Sequence, residues 1–376
     1  MAALLICREF GIFQYSAIKA QRDERNGVNL SFFAEAIVLA KERLLCALKG
    51  GKPDRVPYCE VGVSTQVLNG LDPQQFAAVE SGGIDEMDER GSEGEIAVSQ
   101  LLHRDHICYR VFPPIPAERH VGSDGIPYYG DGAIKTMRDL QELALPDPTG
   151  EELWGEADAF LAAAGDYATC AITRMGVAST YLAMGMESFS LTLYDQPHLV
   201  EAVMERYADW ALDVAREASR RGFDFLWTAD DLAFNTGPLL SPEMFRRIFL
   251  PHMRRVAEVI DIPWVFHSDG DLGELLPDLV DLGISALNPL EPGAMDIAAV
   301  KKHFGNSLCL IGNVDVHLLA TGTPADIERE VRHLLEVVAP GGAFVLSSGN
   351  SLASYCKAEN VRAMVDTLLR YGNYDK

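Results

Sequence analysis

The chain has 376 residues, of which 48% are hydrophobic and 23% charged, and its formal net charge is -23 at pH 7. These proportions are typical of a globular protein and provide enough apolar residues for a large core. Such an acidic surface excludes nucleic acid and anionic membrane as the main partner, because both require a basic face.

Cysteine usage and hydropathy indicate the compartment. The seven cysteines are scattered, odd in number and without a CxxC pair, which is typical of reduced thiols in a cytoplasmic protein. The apolar runs are all shorter than the roughly 18 residues that a membrane-spanning helix needs. We therefore expect a cytoplasmic protein that does not cross a membrane.

The first part of the chain shows few regular elements. Residues 1–40 do not match the pattern that follows and are predicted to form an N-terminal extension, either a lid or an oligomer arm. A helical pattern at 33–48 precedes a short strand at 56–61, which ends in the carboxylate of Glu60. Alternating apolar residues with several Gly and Pro indicate hairpins at 104–132.

From residue 150 onward, apolar strand-like runs alternate with helical stretches. The predicted strands lie at 168–174, 223–229, 262–267, 284–289, 307–312 and 342–348. The predicted helices lie at 150–164, 196–221, 241–260, 271–282, 295–304, 324–338 and 358–371.

This alternation predicts an α/β fold with parallel strands and right-handed crossovers. We expect a (β/α)8 TIM-type barrel formed by a single domain, residues 41–376, with its active site at the C-terminal ends of the strands. Only seven strands are evident, including the one at 56–61, so the sequence pattern does not locate the eighth strand of the barrel. An open doubly wound sheet is the structural alternative, although no GxGxxG follows a strand.

Nearly every predicted strand ends in polar or charged residues. In a barrel these ends converge on one mouth, so the residues are expected to form a single site. Each also has an ordinary structural explanation, since Asp caps helices and Asn hydrogen-bonds within turns. The predicted catalytic residues are Asp230, Asp231, His267 and Asp269, and the predicted substrate-binding residues are Arg174, Asn288, Asn313 and Asn350.

His267 and Asp269 stand two positions apart at the end of a strand. Alternate strand residues point the same way, so both side chains could bind one metal ion, act as an acid–base pair or orient a polar substrate. A metal site requires at least one more ligand. Glu60 is placed in the predicted metal set with His267 and Asp269, while Asp231 and Asn350 are the other candidates.

Several motifs together resemble the uroporphyrinogen decarboxylase superfamily, over roughly residues 43–372. They are Arg43-Leu44-Leu45-Cys46-Ala47-Leu48-Lys49-Gly50, Pro53-Asp54-Arg55-Val56-Pro57, Asp230-Asp231-Leu232, His267-Ser268-Asp269-Gly270 and Gly312-Asn313-Val314-Asp315. The resemblance implies a (β/α)8 barrel with a deep cleft at the strand C-termini. It implies one of two activities: decarboxylation without a cofactor, or methyl transfer to or from corrinoid proteins or thiols, usually with zinc.

The chain departs from both branches at specific positions. The decarboxylases bind a polycarboxylate with an arginine-rich segment, but residues 60–66 here contain no arginine. In the thiol-activating methyltransferases, the family resemblance implies zinc ligands from a His-x-Cys motif and a distant Cys. Here Asp269 and Asn350 stand at the positions of the two cysteines. Oxygen ligands give a harder, more Lewis-acidic site, which suits an ether oxygen better than a thiolate.

The resemblance and its departures lead to a functional expectation. We expect a methyltransferase that moves a methyl group from a methoxylated or other small methyl donor to a corrinoid protein. Its cofactor would be zinc or another divalent metal, with cobalamin on the partner protein. The alternatives are a cofactor-free decarboxylase acting on a smaller carboxylated substrate and a non-enzymatic binding scaffold. The oligomeric state is left open, a homodimer being one outcome.

Overall fold

The computed structural model describes residues 38–76, 91–122 and 127–374. The N-terminal extension predicted for residues 1–40 therefore lies outside the described residues, except for its last three positions.

The described strands alternate with helices through most of the chain. They are β1 (His106–Arg110), β2 (Ala117–Val121), β3 (Pro127–Gly132), β4 (Ala168–Thr173), β5 (Phe225–Ala229), β6 (Ala233–Phe234), β7 (Gly237–Pro238), β8 (Trp264–His267), β9 (Ala286–Asn288), β10 (Cys309–Val314) and β11 (Phe344–Ser348). Seven of them form one sheet in the order β1-β4-β5-β8-β9-β10-β11. All of its neighbouring pairs are parallel. The fold is thus mixed α/β with a curled parallel sheet.

Along the chain, most of the helices connect one strand of this sheet to the next. They are Ala40–Leu48, Thr65–Leu71, Pro73–Phe76, Gly91–Leu102, Met137–Glu142, Glu151–Trp154, Ala157–Ala163, Val177–Met184, Met186–Asp195, Pro197–Arg221, Pro242–Ile248, Leu250–Ala257, Leu276–Asp281, Ile297–Phe304, Val316–Thr321, Pro324–Val337 and Ala358–Tyr371. The strand–helix rhythm predicted from residue 168 onward is confirmed. The predicted helix at 241–260 is divided, because Pro251 has no N–H to continue the hydrogen-bond ladder.

The first part of the chain differs from the prediction. Residues 56–61 do not form a regular strand and make an isolated bridge between Tyr58 and Leu346. Pro57 lies within this segment and cannot donate to a ladder. The strand of the seven-stranded sheet that the sequence pattern did not reveal is β1, which lies within the region expected to contain hairpins. The short pair β6 and β7 was not predicted either. A hairpin does follow it, formed by β2 and β3.

Buried apolar side chains lie on both sides of the curled sheet. A large cluster fills the space between the strands and the helices. A smaller one includes Cys170, Trp227, Val265 and Ile311, each from a different strand. Successive side chains of β4 point to opposite faces of the sheet, so Cys170 belongs to the smaller cluster and Ala171 to the larger.

Two further features concern the cysteines and the helices. The six cysteines in the described part of the chain form no disulfide with one another. Among the described residues, no helix combines the length and the hydropathy that crossing a bilayer would require.

Candidate active site

The predicted site residues come from neighbouring strands of the sheet. His267 is the last residue of β8 and lies in register with Ala229 on one side and Asn288 on the other. Asp230 and Asp231 directly follow Ala229. The parallel arrangement therefore brings these polar groups to the same edge of the sheet, at the C-terminal ends of the strands.

Asp231, His267 and Asp269 form a compact cluster of possible metal ligands. One ligand atom from each residue lies within 4.8 Å of the others. Nε2 of His267 is 3.7 Å from Oδ1 of Asp269 and 3.9 Å from Oδ1 of Asp231. The backbone N–H of Asp269 also donates to Oδ1 of Asp231 at 3.0 Å, which holds the two loops in place. The arrangement suits a divalent cation bound by one imidazole and two carboxylates.

The hydrogen bonds of Asn288 define the tautomer of His267. Nδ1 of His267 lies 2.7 Å from Oδ1 of Asn288, whose Nδ2 donates to the carbonyl of Ile311 at 3.3 Å. Because the amide oxygen only accepts, Nδ1 of His267 must carry a proton. The lone pair of the neutral ring is then on Nε2, which faces both aspartates. This is the usual way in which a second residue orients a metal-binding histidine.

Asp269 has one oxygen engaged and one without a partner. Nδ2 of Asn350 donates to Oδ2 of Asp269 at 2.6 Å. Oδ1 of Asp269 is buried and has no hydrogen-bond partner among the described residues. A buried carboxylate oxygen without a donor is costly unless a cation or a proton binds it. This oxygen faces His267, so the residues present fit a metal ion.

The charges of the cluster shift the proton affinities of its members. Burial works to lower the pKa of His267, but the negative charges of Asp269 and Asp231 outweigh it, and the pKa lies above its usual value. Burial, together with the charge of Asp231, raises the pKa of Asp269 to about 6. Protons and a metal ion therefore compete for the same atoms.

Glu60 is fully buried and lies outside this cluster of ligand atoms. Its Oε1 accepts hydrogen bonds from Tyr58 Oη at 3.0 Å and from the backbone of Ser348 at 2.8 Å. Its Oε2 accepts from Ser348 Oγ at 2.5 Å. Burial raises the pKa of Glu60 to about 7. The possible ligand that lies beside His267 and Asp269 is Asp231, one of the other candidates from the sequence, whereas the Glu60 carboxylate is engaged by Tyr58 and Ser348.

Asp230 is also fully buried, and both of its oxygens bind backbone. They accept from the N–H groups of Met175 and Ala178 at 2.5 and 2.8 Å. These amides flank the start of the helix Val177–Met184, so Asp230 supplies acceptors where a helix N-terminus lacks them. Burial raises the pKa of Asp230 to about 6.

The remaining predicted residues have distinct surroundings. Nδ2 of Asn313 donates to the carbonyl of Leu290 at 2.7 Å, which ties the end of β10 to the loop after β9. Arg174 is partly buried and its guanidinium lies over the Phe112 ring, 4.9 Å from the ring centroid.

Residues around Glu60 and Asp269 extend the site beyond the predicted set. Ser348 Oγ is within hydrogen-bond distance of both Glu60 and the carbonyl of Asn350. Tyr58 stands two positions before Glu60, and this period-two spacing could have identified it. Phe112 has no such signal, because it contacts Arg174 only through the tertiary structure.

Comparison with known proteins identifies the family. The family model described as uroporphyrinogen decarboxylase (URO-D) matches residues 117–371, more than half of the chain. The chain belongs to the uroporphyrinogen decarboxylase family. Members of both branches resemble it, and it is an enzyme of this superfamily.

Three relatives illustrate the two activities found among the similar proteins. The methylcobamide:CoM methyltransferase MtaA of Methanosarcina barkeri is 27% identical over 183 residues, which are 48% of this chain and 52% of the relative. The methylated-thiol–coenzyme M methyltransferase of Methanosarcina mazei is 27% identical over 186 residues, 48% of this chain and 47% of the relative. The uroporphyrinogen decarboxylase of Sodalis glossinidius is 25% identical over 238 residues, 58% of this chain and 64% of the relative. The chain thus spans about half the length of the first two.

A solved structure shows the same fold. The methyltransferase from Methanosarcina mazei has a TM-score of 0.67 and 22% sequence identity, and the match covers 89% of this chain and 99% of that one. The mixed α/β architecture described above is therefore shared with that methyltransferase over nearly its whole length.

Proposed function

We propose that this enzyme is a methyltransferase that moves a methyl group from a methoxylated donor, or another small methyl donor, to a corrinoid protein. The observation that supports this most directly is the ligand cluster of Asp231, His267 and Asp269 at the C-terminal edge of the sheet. It offers nitrogen and oxygen but no sulfur. Two of the relatives are named as methyltransferases of methylcobamide or methylated thiols.

The chemistry of the ligand set favours an oxygen-linked methyl group. Thiolate ligands are soft and suit the activation of a thiol, while carboxylates and imidazole leave a cation strongly Lewis-acidic. When bound by these three residues, zinc or another divalent ion would polarise the oxygen that leaves the methyl group. Stabilisation of negative charge developing on an oxygen often accounts for several kcal/mol of a barrier.

The residues of the chain then have separate roles. Asn288 keeps the proton on Nδ1 of His267, and Asn350 engages one oxygen of Asp269, so both ligands present fixed lone pairs. In the reaction, the methyl–oxygen bond breaks and its electron pair stays on the oxygen, which takes a proton from water. The methyl carbon forms its new bond with the electron pair of the reduced corrinoid cobalt. Charges and atoms balance without a further reactant.

The test combines metal analysis with an anaerobic methyl-transfer assay. Purified enzyme, a reduced corrinoid protein and a panel of methoxylated compounds are mixed, and methylation of the corrinoid is followed by its absorption spectrum. We expect methylation with the wild type and a loss of bound metal in His267→Ala. Absence of corrinoid methylation with every donor would overturn the proposal.

A second candidate is cofactor-free decarboxylation of a small carboxylated substrate. Arg174 favours it, because its guanidinium at the edge of the site could bind the carboxylate of a small substrate. The same reaction mixtures, analysed for released carbon dioxide, distinguish this activity from methyl transfer.

We further propose that the curled sheet closes as an eight-membered barrel and that residues 41–376 form one domain. Support comes from residues 57–59, which bond to strands on both sides. Pro57 and Cys59 exchange backbone hydrogen bonds with Leu346 of β11, at 2.9 and 3.1 Å. On the other side, the carbonyl of Tyr58 accepts from the N–H of Asp105, directly before β1, at 2.9 Å.

A further inference from the structure

Arg174 lies at the edge of the candidate site, and no described residue accepts a hydrogen bond from its guanidinium. The ring of Phe112 covers one face of the guanidinium at 4.9 Å from the centroid. Within the described ranges, the guanidinium makes no ion pair with a carboxylate and donates no hydrogen bond. A stacked guanidinium keeps its N–H edges available, and these edges match a carboxylate in geometry and charge.

The acidic residue nearest to Arg174 along the sheet edge does not neutralise it by a direct ion pair. Asp230 follows β5, the neighbour of β4, but both of its oxygens are engaged by the backbone N–H groups of Met175 and Ala178. Arg174 nevertheless acts on Asp230 through space, since its charge works to lower the pKa of that carboxyl, which burial raises. Because Asp230 does not form an ion pair with it, Arg174 can attract another anion in addition to the Asp230 carboxylate.

Arg174 and the ligand cluster border the same space. Arg174 directly follows β4, whose register partner β5 is followed by Asp231. His267 ends β8, the next strand. With neighbouring strands about 4.8 Å apart, the ends of β4 and β8 are separated by roughly 10 Å. Tyr181 lies near both groups: burial is the main cause that raises the pKa of its phenol, the charge of Asp231 adds to this effect, and the charge of Arg174 opposes it.

We propose that Arg174 is the specificity-determining residue of the site and that the methyl donor carries a carboxylate at the end opposite to its methyl–oxygen bond. The guanidinium binds this carboxylate, while the ether oxygen reaches the cluster of Asp231, His267 and Asp269. A single aromatic ring with the two groups at opposite positions spans a comparable distance once the hydrogen bond at the carboxylate and the contact at the ether oxygen are included. The inference rests on the proposed methyl transfer and adds the chemical class of the donor.

The structure offers matched variants. Arg174→Met removes the charge and keeps much of the side-chain volume, and Arg174→Lys keeps the charge but loses the planar N–H pair. Arg332→Met is the control, because the Arg332 guanidinium also lies over an aromatic ring, Tyr371, at 4.8 Å and belongs to a distant helix.

The experiment measures kcat and KM for corrinoid methylation with 4-methoxybenzoate and with neutral 4-methoxytoluene. We expect the wild type to prefer the carboxylate. Arg174→Met should raise KM for 4-methoxybenzoate by roughly 10- to 100-fold with little change in kcat, as expected when a charge-assisted contact that does not change during the reaction is lost. Values for the neutral compound should not change, and Arg332→Met should behave as the wild type. Equal use of the two donors by the wild type, or an equal loss of both in Arg174→Met, would overturn the inference.

Calorimetric titration with 4-methoxybenzoate, without any corrinoid protein, distinguishes this inference from the proposed function. If the wild type binds the compound, Arg174→Met does not and no methyl transfer occurs, the carboxylate contact stands and the proposed function fails. If methyl transfer proceeds from neutral donors and the carboxylate does not bind, the methyltransferase stands and the role of Arg174 is refuted.

Discussion

The side-chain amide of Asn350 donates to Oδ2 of Asp269 at 2.6 Å, although 81 residues separate the two in sequence. The bond orients the carboxylate so that its other oxygen remains buried beside His267. Asn350 thereby supports the ligand cluster without belonging to it.

Replacement of Asn350 by Ala should weaken metal binding. The carboxylate of Asp269 would lose its orientation, and loss of such a supporting contact typically lowers metal affinity by about 10- to 100-fold. Competition with a chromophoric chelator measures the zinc Kd. Asn306→Ala, at an exposed position, is the control. An unchanged Kd in Asn350→Ala would show that the bond does not support the site.

The amide of Asn288 should determine which nitrogen of His267 is protonated. Asn288→Ala removes the acceptor of the Nδ1 proton, so both tautomers become accessible and zinc affinity should fall by roughly 10-fold or more. Asn288→Asp keeps an acceptor and should retain most of the affinity. Nitrogen-15 spectra of the histidine rings, with His267→Ala for assignment, report the tautomer directly. The same spectrum in wild type and Asn288→Ala would contradict the assignment.

Metal affinity should depend on pH in a predictable direction. The pKa of Asp269 is raised to about 6 and that of His267 lies above its usual value, so both bind protons more readily than in a solvated peptide. Because a metal requires their deprotonated forms, affinity should fall as the pH decreases from 8 to 5, by about tenfold per pH unit for each proton displaced. Zinc titrations across this range measure the slope. A flat profile would exclude these two residues as ligands.

Buried Glu60 should make stability pH-dependent. Its folded-state pKa of about 7 exceeds the ordinary value of 4.5, so the stability it contributes is complete below pH 4.5 and is lost as the pH rises through 7. Glu60→Gln resembles the protonated form. Between pH 4.5 and 7.5, its free energy of unfolding should therefore rise relative to the wild type by about 3 kcal/mol.

Chemical denaturation at several pH values tests the prediction for Glu60. Glu336→Gln is an exposed control and should follow the wild type at every pH. A constant difference between Glu60→Gln and wild type across the range would show that Glu60 does not change its protonation there.

Asp230 is expected to stabilise the loop before the helix Val177–Met184. Asp230→Ala would leave the N–H groups of Met175 and Ala178 without their acceptor, at a cost of about 2–4 kcal/mol in the free energy of unfolding. Denaturation curves compared with Asp166→Ala, an exposed position, measure this. Unchanged stability together with lost activity would instead favour the catalytic role predicted from sequence.

The sequence by itself predicted the features that depend on local pattern. The strands of the seven-stranded sheet from β4 onward follow from alternating apolar runs and helices. The position of the site follows from the geometry of parallel strands, whose C-terminal ends share one edge. The pairing of His267 with Asp269 follows from the period of two along a strand. Recognition of the family rested on motifs spread over much of the chain, and the family match confirms it.

Only the tertiary structure decided which distant side chains meet. Glu60 and Asp231 are both carboxylates at the C-terminal edge of the sheet, yet Ser348 and Tyr58 engage the first, while the second lies beside His267. β1 rather than residues 56–61 forms the first strand of the sheet. Such choices depend on loop conformation and on hydrogen bonds between residues far apart in sequence, and local propensity contains no information about either.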